Sequence, residues 1–302
     1  MGEMPGRTTV DWRDAAGALA DEVTRVTALL RSVSDPGAPA IGEWSLAEVA
    51  MHLSQAWLLV PGLAVDDLSD LFQVLPALRA TAGGSPLRDI WEHSRLTMAG
   101  VGADTERDPA RLADRIEQRA GAFLDGLDAR STTGAHAWLV EGVVGSLPLL
   151  ICHLLNETTV HGYDIARADG RKWPIGNRGA AMIVDGFLVP VLEGLDPRSF
   201  VDQDAAAGLR ATFEVHVRGG EHHLFVFDDG ELRIDRPGSP EAGSPEAGSR
   251  RIDCHISANP ATFLLVAWGR RSQWPAIARG QLVAWGRKPW LGPRFRGLLR
   301  TL

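Results

Sequence analysis

The sequence predicts an α-helical first half followed by an α+β second half. Two observations carry this fold class. Between residues 11 and 168, apolar side chains recur at helical spacing and the segments are separated by turn signals, whereas strand alternation first becomes clear in residues 212–217. The length of the chain is a third observation, because 302 residues suffice for two domains that each bury a core.

The bulk composition is that of a globular protein, with 45% hydrophobic and 23% charged residues. No apolar run reaches the roughly 18 residues that a membrane span needs, and the first residues lack a signal-peptide pattern. The two cysteines, Cys152 and Cys254, lie far apart and form no disulfide framework. We therefore expect a cytoplasmic protein that does not bind membranes.

Charge is distributed unevenly along a chain whose net charge is −7. From Cys254 onwards there are eight Arg and Lys residues and no Asp or Glu. Such a basic segment can indicate nucleic-acid binding. Here the basic residues are spread among Trp and Leu, so we expect a local field for a small anion and no nucleic-acid partner.

The first half is predicted to contain four or so long helices that form a bundle. They are expected at residues 11–33, from a capping box at Ser45 and Glu48, from Asp108-Pro109, and from Pro148 to about Ala168. Shorter helical pieces are expected at residues 66–80 and 86–98.

The second half is predicted to be a small antiparallel sheet with helices on one face. Strands are expected at residues 212–217, 223–227, 231–235, 251–257 and 281–285, and helices at 179–195, 261–268 and 290–299. The repeat Gly-Ser-Pro-Glu-Ala at 238–247 is expected to be a mobile loop. The predicted domains are residues 1–175 and 208–302, with a connecting helix and linker at 176–207.

The most informative stretch is residues 152–164, where His153, Glu157 and His161 recur every four residues. On a helix these three side chains project from one face, and the apolar residues around them indicate that this face points inward. Buried imidazoles and a carboxylate need partners. From spacing alone, a metal ion and a hydrogen-bond network without an ion remain equal alternatives.

A fourth chemical group is His52, which lies on the apolar side of the helix that the capping box begins. A lone histidine on such a face is more often a satisfied core residue than a ligand. His52 gains interest because the later helix offers it a set of partners.

These residues carry a resemblance to a known family. Residues 44–53 (WSLAEVAMHL) and 153–164 (HLLNETTVHGYD), with the weaker motifs 259–262, 267–270 and 280–283, resemble the mycothiol-dependent maleylpyruvate isomerase family over nearly the whole chain. The resemblance implies a DinB-like four-helix bundle followed by a domain like sterol carrier protein 2 (SCP2-like). It also implies an actinobacterial source, which agrees with the richness in Ala, Gly and Arg.

The resemblance further implies a metal centre. The family's ligands, a histidine on the second bundle helix and a Glu-x3-His pair on the last, fall on His52, Glu157 and His161. His153 is then expected in the pocket wall or behind the ligands, where it would help to bind the cofactor. Two imidazoles and a carboxylate with an open position suit a divalent ion, zinc or nickel.

The implied function is that of a metal-dependent isomerase or S-transferase that uses mycothiol on a small electrophilic, carboxylated substrate. A coordinated thiol is deprotonated at neutral pH. The family's catalytic arginine falls on Arg270, with Arg271 as the alternative and as a further cofactor-binding residue. A guanidinium there would clamp a substrate carboxylate. The sequence leaves the oligomeric state open.

Two other function classes remain open at this stage. The same three ligands would serve a metal-dependent hydrolase or lyase that needs no thiol. The second half would instead serve as a non-catalytic binding protein for an apolar small molecule. The aromatic side chains proposed to line its tunnel are Phe213, Phe225, Phe227, Phe263, Trp268 and Trp285.

Overall fold

The computed structural model describes residues 9–65, 67–74, 90–129, 136–137, 144–236 and 251–300. The chain divides into two compact units, Met1–Ile175 and Gly176–Leu302. The Gly-Ser-Pro-Glu-Ala repeat, for which we predicted a mobile loop, lies outside the described residues, as do parts of the helical pieces predicted at 66–80 and 86–98.

The first unit is helical, as predicted. Its described helices are α1 (Trp12–Leu30), α2 (Leu46–Leu63), α3 (Ser69–Val74), α4 (Ile90–Ala103), α5 (Pro109–Asp125) and α6 (Leu147–Ala168). The unit also contains a 3₁₀ turn at Leu127–Ala129 and two short strand pairs, β1 (Pro39–Ile41) with β2 (Trp44–Ser45) and β3 (His136–Ala137) with β4 (Val144–Gly145). Both α1 and α2 pack against α5 and α6, so these four longer helices share one core.

Local sequence signals explain where these helices begin. Ser45 and Glu48 form the predicted capping box, and Asp108 caps α5 ahead of Pro109. The last helix, α6, is capped by Ser146, whose side-chain oxygen accepts a hydrogen bond from the backbone N–H of Leu149. The beginnings of α2 and α6 matter most, because these two helices carry the chemically distinctive residues.

The indole of Trp173 lies against α6 where the helix has no side chain. A Cβ added to Gly162 would meet Cζ2 of Trp173 at 2.9 Å. On its other side the ring carries the guanidinium of Arg25, whose Cζ is 4.1 Å from the ring centroid. The absence of a side chain at Gly162 therefore lets the segment after α6 pack back onto it.

We expect Gly162→Ala to destabilise the protein by about 1 kcal/mol, because overpacking against the ring outweighs the gain in helix propensity. Gly17, within α1, is the matched control, since a Cβ there would meet nothing within 4 Å. Gly17→Ala should stabilise by up to about 1 kcal/mol. Denaturant unfolding of both variants measures the difference, and a gain in stability from Gly162→Ala would refute the packing argument.

The second unit is built on a five-stranded sheet. Its strands are β5 (Arg210–Val217), β6 (His222–Asp228), β7 (Glu231–Asp235), β8 (Cys254–Ala258) and β9 (Leu282–Trp285), in the spatial order β7-β6-β5-β8-β9. Asp229 and Gly230, with φ values of 52° and 87°, make the tight turn between β6 and β7 that Asp-Asp-Gly predicted. Phe213, Val215 and Phe225 are buried on the core face of the sheet.

The predicted antiparallel sheet is wrong in one pairing, because β5 and β8 run parallel and the sheet is mixed. The strand β8 does not continue the meander beside β7; it pairs with the other edge of β5. A parallel pairing requires a long connection, and the chain from the end of β5 to the start of β8 provides one because it includes β6 and β7. Alternation along a strand shows which face is buried but not which neighbour the strand takes.

The described helices of the second unit are α7 (Asn177–Ile183), α8 (Val189–Gly194), α9 (Pro197–Phe200), α10 (Gln203–Ala206), α11 (Pro260–Ala267), α12 (Gln273–Ala278) and α13 (Gly292–Phe295). A π-helical turn, Val184–Leu188, joins α7 to α8, so the helix predicted at 179–195 exists in altered form. The closing helix predicted at 290–299 is instead three short pieces, Pro289–Leu291, α13 and Arg296–Leu298. Gly292 and Pro293 weaken any continuous helix there.

None of the helices in the described part of the chain is both long and apolar enough to cross a bilayer.

Candidate metal centre

Three side chains from two helices of the first unit meet at one point. His52 projects from α2, and Glu157 and His161 project from successive turns of α6. One ligand atom from each, two imidazole nitrogens and a carboxylate oxygen, lie within 4.8 Å of one another. This His-Glu-His group could hold a metal ion, and it brings together the three residues that were predicted as ligands.

The carboxylate of Glu157 is the centre of the group. Its Oε2 lies 3.0 Å from Nε2 of His52 and 3.3 Å from Nε2 of His161. Its Oε1 lies 3.6 Å from Nε2 of His153 and accepts a hydrogen bond from Nδ2 of Asn156 at 3.3 Å. One oxygen therefore faces the two predicted ligands, and the other is held by neighbours on α6.

His153 lies one turn before Glu157, as the helical spacing predicted. Its side chain is buried, and its Nε2 lies 3.6 Å from Oε1 of Glu157, the oxygen that is not in contact with His52 and His161. This location is compatible with a supporting residue behind the ligands.

Asp164 is a further member of the site to which the sequence analysis assigned no role. Its buried carboxylate oxygen Oδ2 lies 3.2 Å from Nδ1 of His161, whose other nitrogen faces Glu157. A carboxylate that fixes the far nitrogen of a histidine is the usual support for a metal ligand, because it sets both ring orientation and tautomer. The spacing of three residues from His161 on a helix was the signal that could have identified it.

Aromatic contacts fix the ring of His52. It lies edge-on to the ring of His161, with centroids 4.7 Å apart, and the indole of Trp44 covers it at 5.5 Å. About 15% of the His52 side chain and 12% of the Glu157 side chain remain accessible, so the group is shielded but reachable.

Burial and hydrogen bonding shift the pKa values of the side chains in this site in opposite directions. Burial alone would raise the pKa of Glu157, but hydrogen bonds from His153, His161 and His52 hold that pKa well below its ordinary value. Burial lowers the pKa of His52, and this effect prevails over the hydrogen bond to Glu157. His52 is therefore neutral at pH 7 and Glu157 is ionised.

His161 differs because it lies between two carboxylates. Burial lowers its pKa, but the hydrogen bonds to Asp164 and Glu157 outweigh this and raise the pKa to about 9. In the metal-free site, both nitrogens of His161 therefore carry protons at pH 7. An ion that binds through Nε2 must replace one of them.

The raised pKa predicts how metal binding depends on pH. Zinc binding at pH 7 should release about one proton from His161, and the apparent affinity should fall about tenfold for each pH unit below about pH 9. Calorimetry in buffers of different ionisation enthalpy measures the proton count. Zinc binding without proton release at pH 7 would contradict this protonation state.

The raised pKa of His161 also makes the stability of the metal-free protein depend on pH. Stability falls as the pH rises, whereas metal affinity increases. Because the folded pKa of His161 exceeds its unfolded value of about 6.5, the stabilisation is complete below about pH 6.5 and is lost as the pH rises through about 9.

The donor set fits a divalent cation. Two neutral imidazoles and one carboxylate are the ligands that zinc and its neighbours accept, and three protein ligands leave a coordination position open. The carboxylates of Glu157 and, behind His161, of Asp164 would also make it less costly to bury a doubly charged ion.

The other predicted site residues, Arg270 and Arg271, belong to the second unit, where they follow α11. Their backbone N–H groups both donate to the carbonyl of Leu265, at 2.8 and 3.1 Å. Nη1 of Arg270 donates to the carbonyl of Trp268 at 2.8 Å and its side chain is half-buried, whereas Arg271 is exposed.

Comparison with protein-family models gives no match. A search of curated proteins also finds none. Among solved structures, the mycothiol-dependent maleylpyruvate isomerase and a mutant of it match with TM-scores of 0.46 and 0.47, at 10% and 9% identity. Both matches cover 91% of this chain and 93% of the other.

A UbiJ-SCP2 ubiquinone synthesis protein matches 36% of this chain and 74% of its own, with a TM-score of 0.24 and 16% identity. These similarities assign no activity or residue role to this chain.

Proposed function

We propose that this protein is a metal-dependent enzyme that uses a low-molecular-weight thiol, mycothiol, in an isomerase or S-transferase reaction on a small electrophilic, carboxylated substrate. The observation that carries the proposal is the convergence of His52, Glu157 and His161 within 4.8 Å, supported by Asp164. The thiol and the reaction class rest on the motif resemblance described above.

His52, Glu157 and His161 are the residues that would hold the ion, zinc or nickel. When bound, the ion supplies a positive charge that lowers the pKa of a thiol at the open position. Glu157 leaves part of that charge uncompensated, and Asp164 keeps Nε2 of His161 directed at the site. The apolar surroundings on α2 and α6 exclude water, which strengthens each of these electrostatic effects.

The reaction then depends on what the thiolate attacks. Addition to an activated alkene, rotation about the former double bond and elimination of the thiolate give an isomer. Displacement of a leaving group, or addition without elimination, gives a thioether and defines an S-transferase. The isomerase and the S-transferase reactions both begin with attack by the thiolate, so the same metal ligands would serve either reaction.

The test is a comparison of turnover with and without mycothiol, on a panel of carboxylated electrophiles, with the metal-loaded and the chelated protein. The proposal expects turnover only when both metal and thiol are present. Metal-dependent turnover without thiol would instead identify a hydrolase or lyase. Absence of turnover in every case, with no metal bound, would leave a binding protein.

We also propose that Arg270, or failing that Arg271, binds the substrate carboxylate. Arg270→Ala should lower kcat/KM for carboxylated substrates roughly 10- to 100-fold, the cost of a charged hydrogen bond, and leave metal content unchanged. Arg279→Ala is the matched control, because Arg279 is exposed on the same basic segment. If kcat/KM were unchanged in Arg270→Ala and fell in Arg271→Ala, Arg271 would be the residue that binds the substrate carboxylate.

A further inference from the structure

The two faces of the five-stranded sheet carry different side chains. The core face borders an apolar cavity of about 140 Å³. Of the predicted aromatic tunnel, Phe225, Phe263 and Trp268 line this cavity, Phe213 and Phe227 are buried without lining it, and Trp285 is 48% exposed. The opposite face, here named the open face, instead carries a group of histidines.

This histidine cluster consists of Glu214 and His216 on β5, His222 on β6 and His255 on β8. All four side chains are at least partly accessible, whereas the residues next to them within the strands are buried. His216 is paired with His222 across the antiparallel strands β5 and β6, and Glu214 is paired with His255 across the parallel strands β5 and β8. The strand register therefore gathers three imidazoles and a carboxylate on one patch.

Glu214 holds two of these histidines by the same nitrogen. Its Oε1 lies 2.9 Å from Nδ1 of His222, and its Oε2 contacts Nδ1 of His255. Burial alone would raise the pKa of Glu214, but the hydrogen bonds from the two histidines lower it, so the carboxylate is ionised at pH 7. An ionised carboxylate only accepts hydrogen bonds, so both Nδ1 atoms carry protons and Nε2 of each neutral ring is an acceptor.

A carboxylate on the far nitrogen of a histidine is the usual support for a metal ligand. Glu214 stands in this relation to His222, as Asp164 does to His161 in the metal centre. The hydrogen bond fixes the tautomer in which Nε2 of His222 has a free electron pair. Since 48% of the His222 side chain is exposed, an ion in solution can reach this ring.

His216 provides a second imidazole beside His222. The two rings are stacked, with centroids 4.0 Å apart and planes inclined by 10°. Burial lowers the pKa of His216, and the neighbouring His222 lowers it further, so His216 is neutral at pH 7. A tilt of the exposed His222 ring out of the stack would direct one nitrogen of each ring at a common ion.

The third histidine of the cluster is held apart from this pair. The ring of His255 is stacked on the indole of Trp285, with centroids 5.3 Å apart, and the carboxylate of Glu214 lies between His255 and His222. Among the described residues, three ligand atoms come within 4.8 Å of one another only in the His-Glu-His group of the first unit. The open face therefore offers a pair of ligands and not a second three-ligand centre.

We propose that His216 and His222 form a second metal site, which binds a divalent transition-metal ion on the open face, with Glu214 as the supporting carboxylate. Imidazole suits zinc, copper and nickel, and among these ions affinity is generally highest for Cu²⁺. Two protein ligands hold an ion less firmly than three, so zinc at this site should be lost on gel filtration. The site goes beyond the function proposed above and lies within the second unit.

The first test adds Cu²⁺ to the full chain and follows the backbone amide resonances, which this paramagnetic ion broadens where it binds. Broadening should be saturable at residues 215–217 and 221–223, whatever happens at α2 and α6. Excess Mg²⁺, which prefers oxygen ligands, should not compete. Absence of broadening at these residues, or broadening that never saturates, would refute the site.

The second test identifies the ligands by equivalent substitutions on one face. His216→Gln and His222→Gln should each lower the apparent Cu²⁺ affinity of the open face by more than about tenfold, because loss of a ligand costs at least as much as loss of its support. His255→Gln is the matched control and should keep the wild-type affinity. Equal losses in His255→Gln and His222→Gln, or no loss in His216→Gln, would refute the proposed pair.

The role of Glu214 has a separate readout. Glu214→Gln should lower the Cu²⁺ affinity about 10- to 100-fold. In the metal-free wild type, the imidazole ¹⁵N resonances of His222 should show the tautomer protonated at Nδ1, and the variant should shift the proton towards Nε2. Unchanged affinity and an unchanged tautomer would overturn this role, and the wild-type titration remains decisive for the site if the variant does not fold.

The metal centre provides the independent control. Glu157→Gln should leave the Cu²⁺-dependent broadening at residues 215–217 and 221–223 unchanged, because Glu157 lies in the first unit. Loss of that broadening in this variant would refute a separate second site. Loss of metal from α2 and α6 alone concerns only the proposed enzyme.

Discussion

Glu157→Gln should lower zinc affinity at least about a hundredfold and abolish thiol-dependent turnover. The substitution keeps the size of the side chain but removes the negative charge that faces His52 and His161 at 3.0 and 3.3 Å. A neutral amide is a poor ligand for zinc, and two imidazoles alone form an incomplete site. Competition against a chromophoric chelator measures the affinity.

Glu48→Gln is the matched control for this substitution. Glu48 is the capping-box carboxylate at the start of α2 and does not belong to the His-Glu-His group. The control should lose a little stability and keep its zinc. Wild-type zinc affinity in Glu157→Gln would exclude Glu157 as a ligand and favour a hydrogen-bonded core.

The second large effect is expected from Asp164→Asn, with a 10- to 100-fold loss of zinc affinity and intact ligands. The buried Oδ2 of Asp164 lies 3.2 Å from Nδ1 of His161. Without its charge, the imidazole loses its fixed tautomer and part of its basicity. The pKa of His161 should also fall from about 9 in the metal-free protein, because one of the two carboxylates that raise it is gone.

Two measurements separate this role from simple structural damage. The number of protons released on zinc binding at pH 7 should drop in Asp164→Asn, as the metal-free imidazole becomes partly neutral. Circular dichroism should show unchanged helix content. Unchanged affinity and proton release would mean that Asp164 only fills space.

The part of the site on α6 was predictable from the sequence because helix geometry is local. A spacing of four residues places Glu157 and His161 on one face whatever surrounds them. His52 is different, because it reaches Glu157 from 105 residues earlier in the chain. No periodicity sets such a contact, and the motif resemblance provided it. Asp164 lay in the same motif, and its spacing of three residues from His161 was a local signal that the sequence prediction did not use.

Prediction of the fold from the sequence was likewise limited to features that neighbouring residues determine. The starts of α2 and α5 followed from Ser45 and Asp108, whose caps form within a few residues. The start of α6 was predicted from Pro148, and the helix begins one residue earlier, at Leu147. The pairing of β8 with β5 depends on which sheet edge a long connection reaches, and alternation does not encode it.

The most direct test of the central claim is X-ray absorption and elemental analysis of the untagged protein after reconstitution with zinc and gel filtration. We expect about one zinc per chain, coordinated by two imidazoles and by light oxygen ligands from Glu157 and the open position. A protein that retains no zinc, or a zinc whose shell lacks imidazole, would contradict a metal centre at His52, Glu157 and His161.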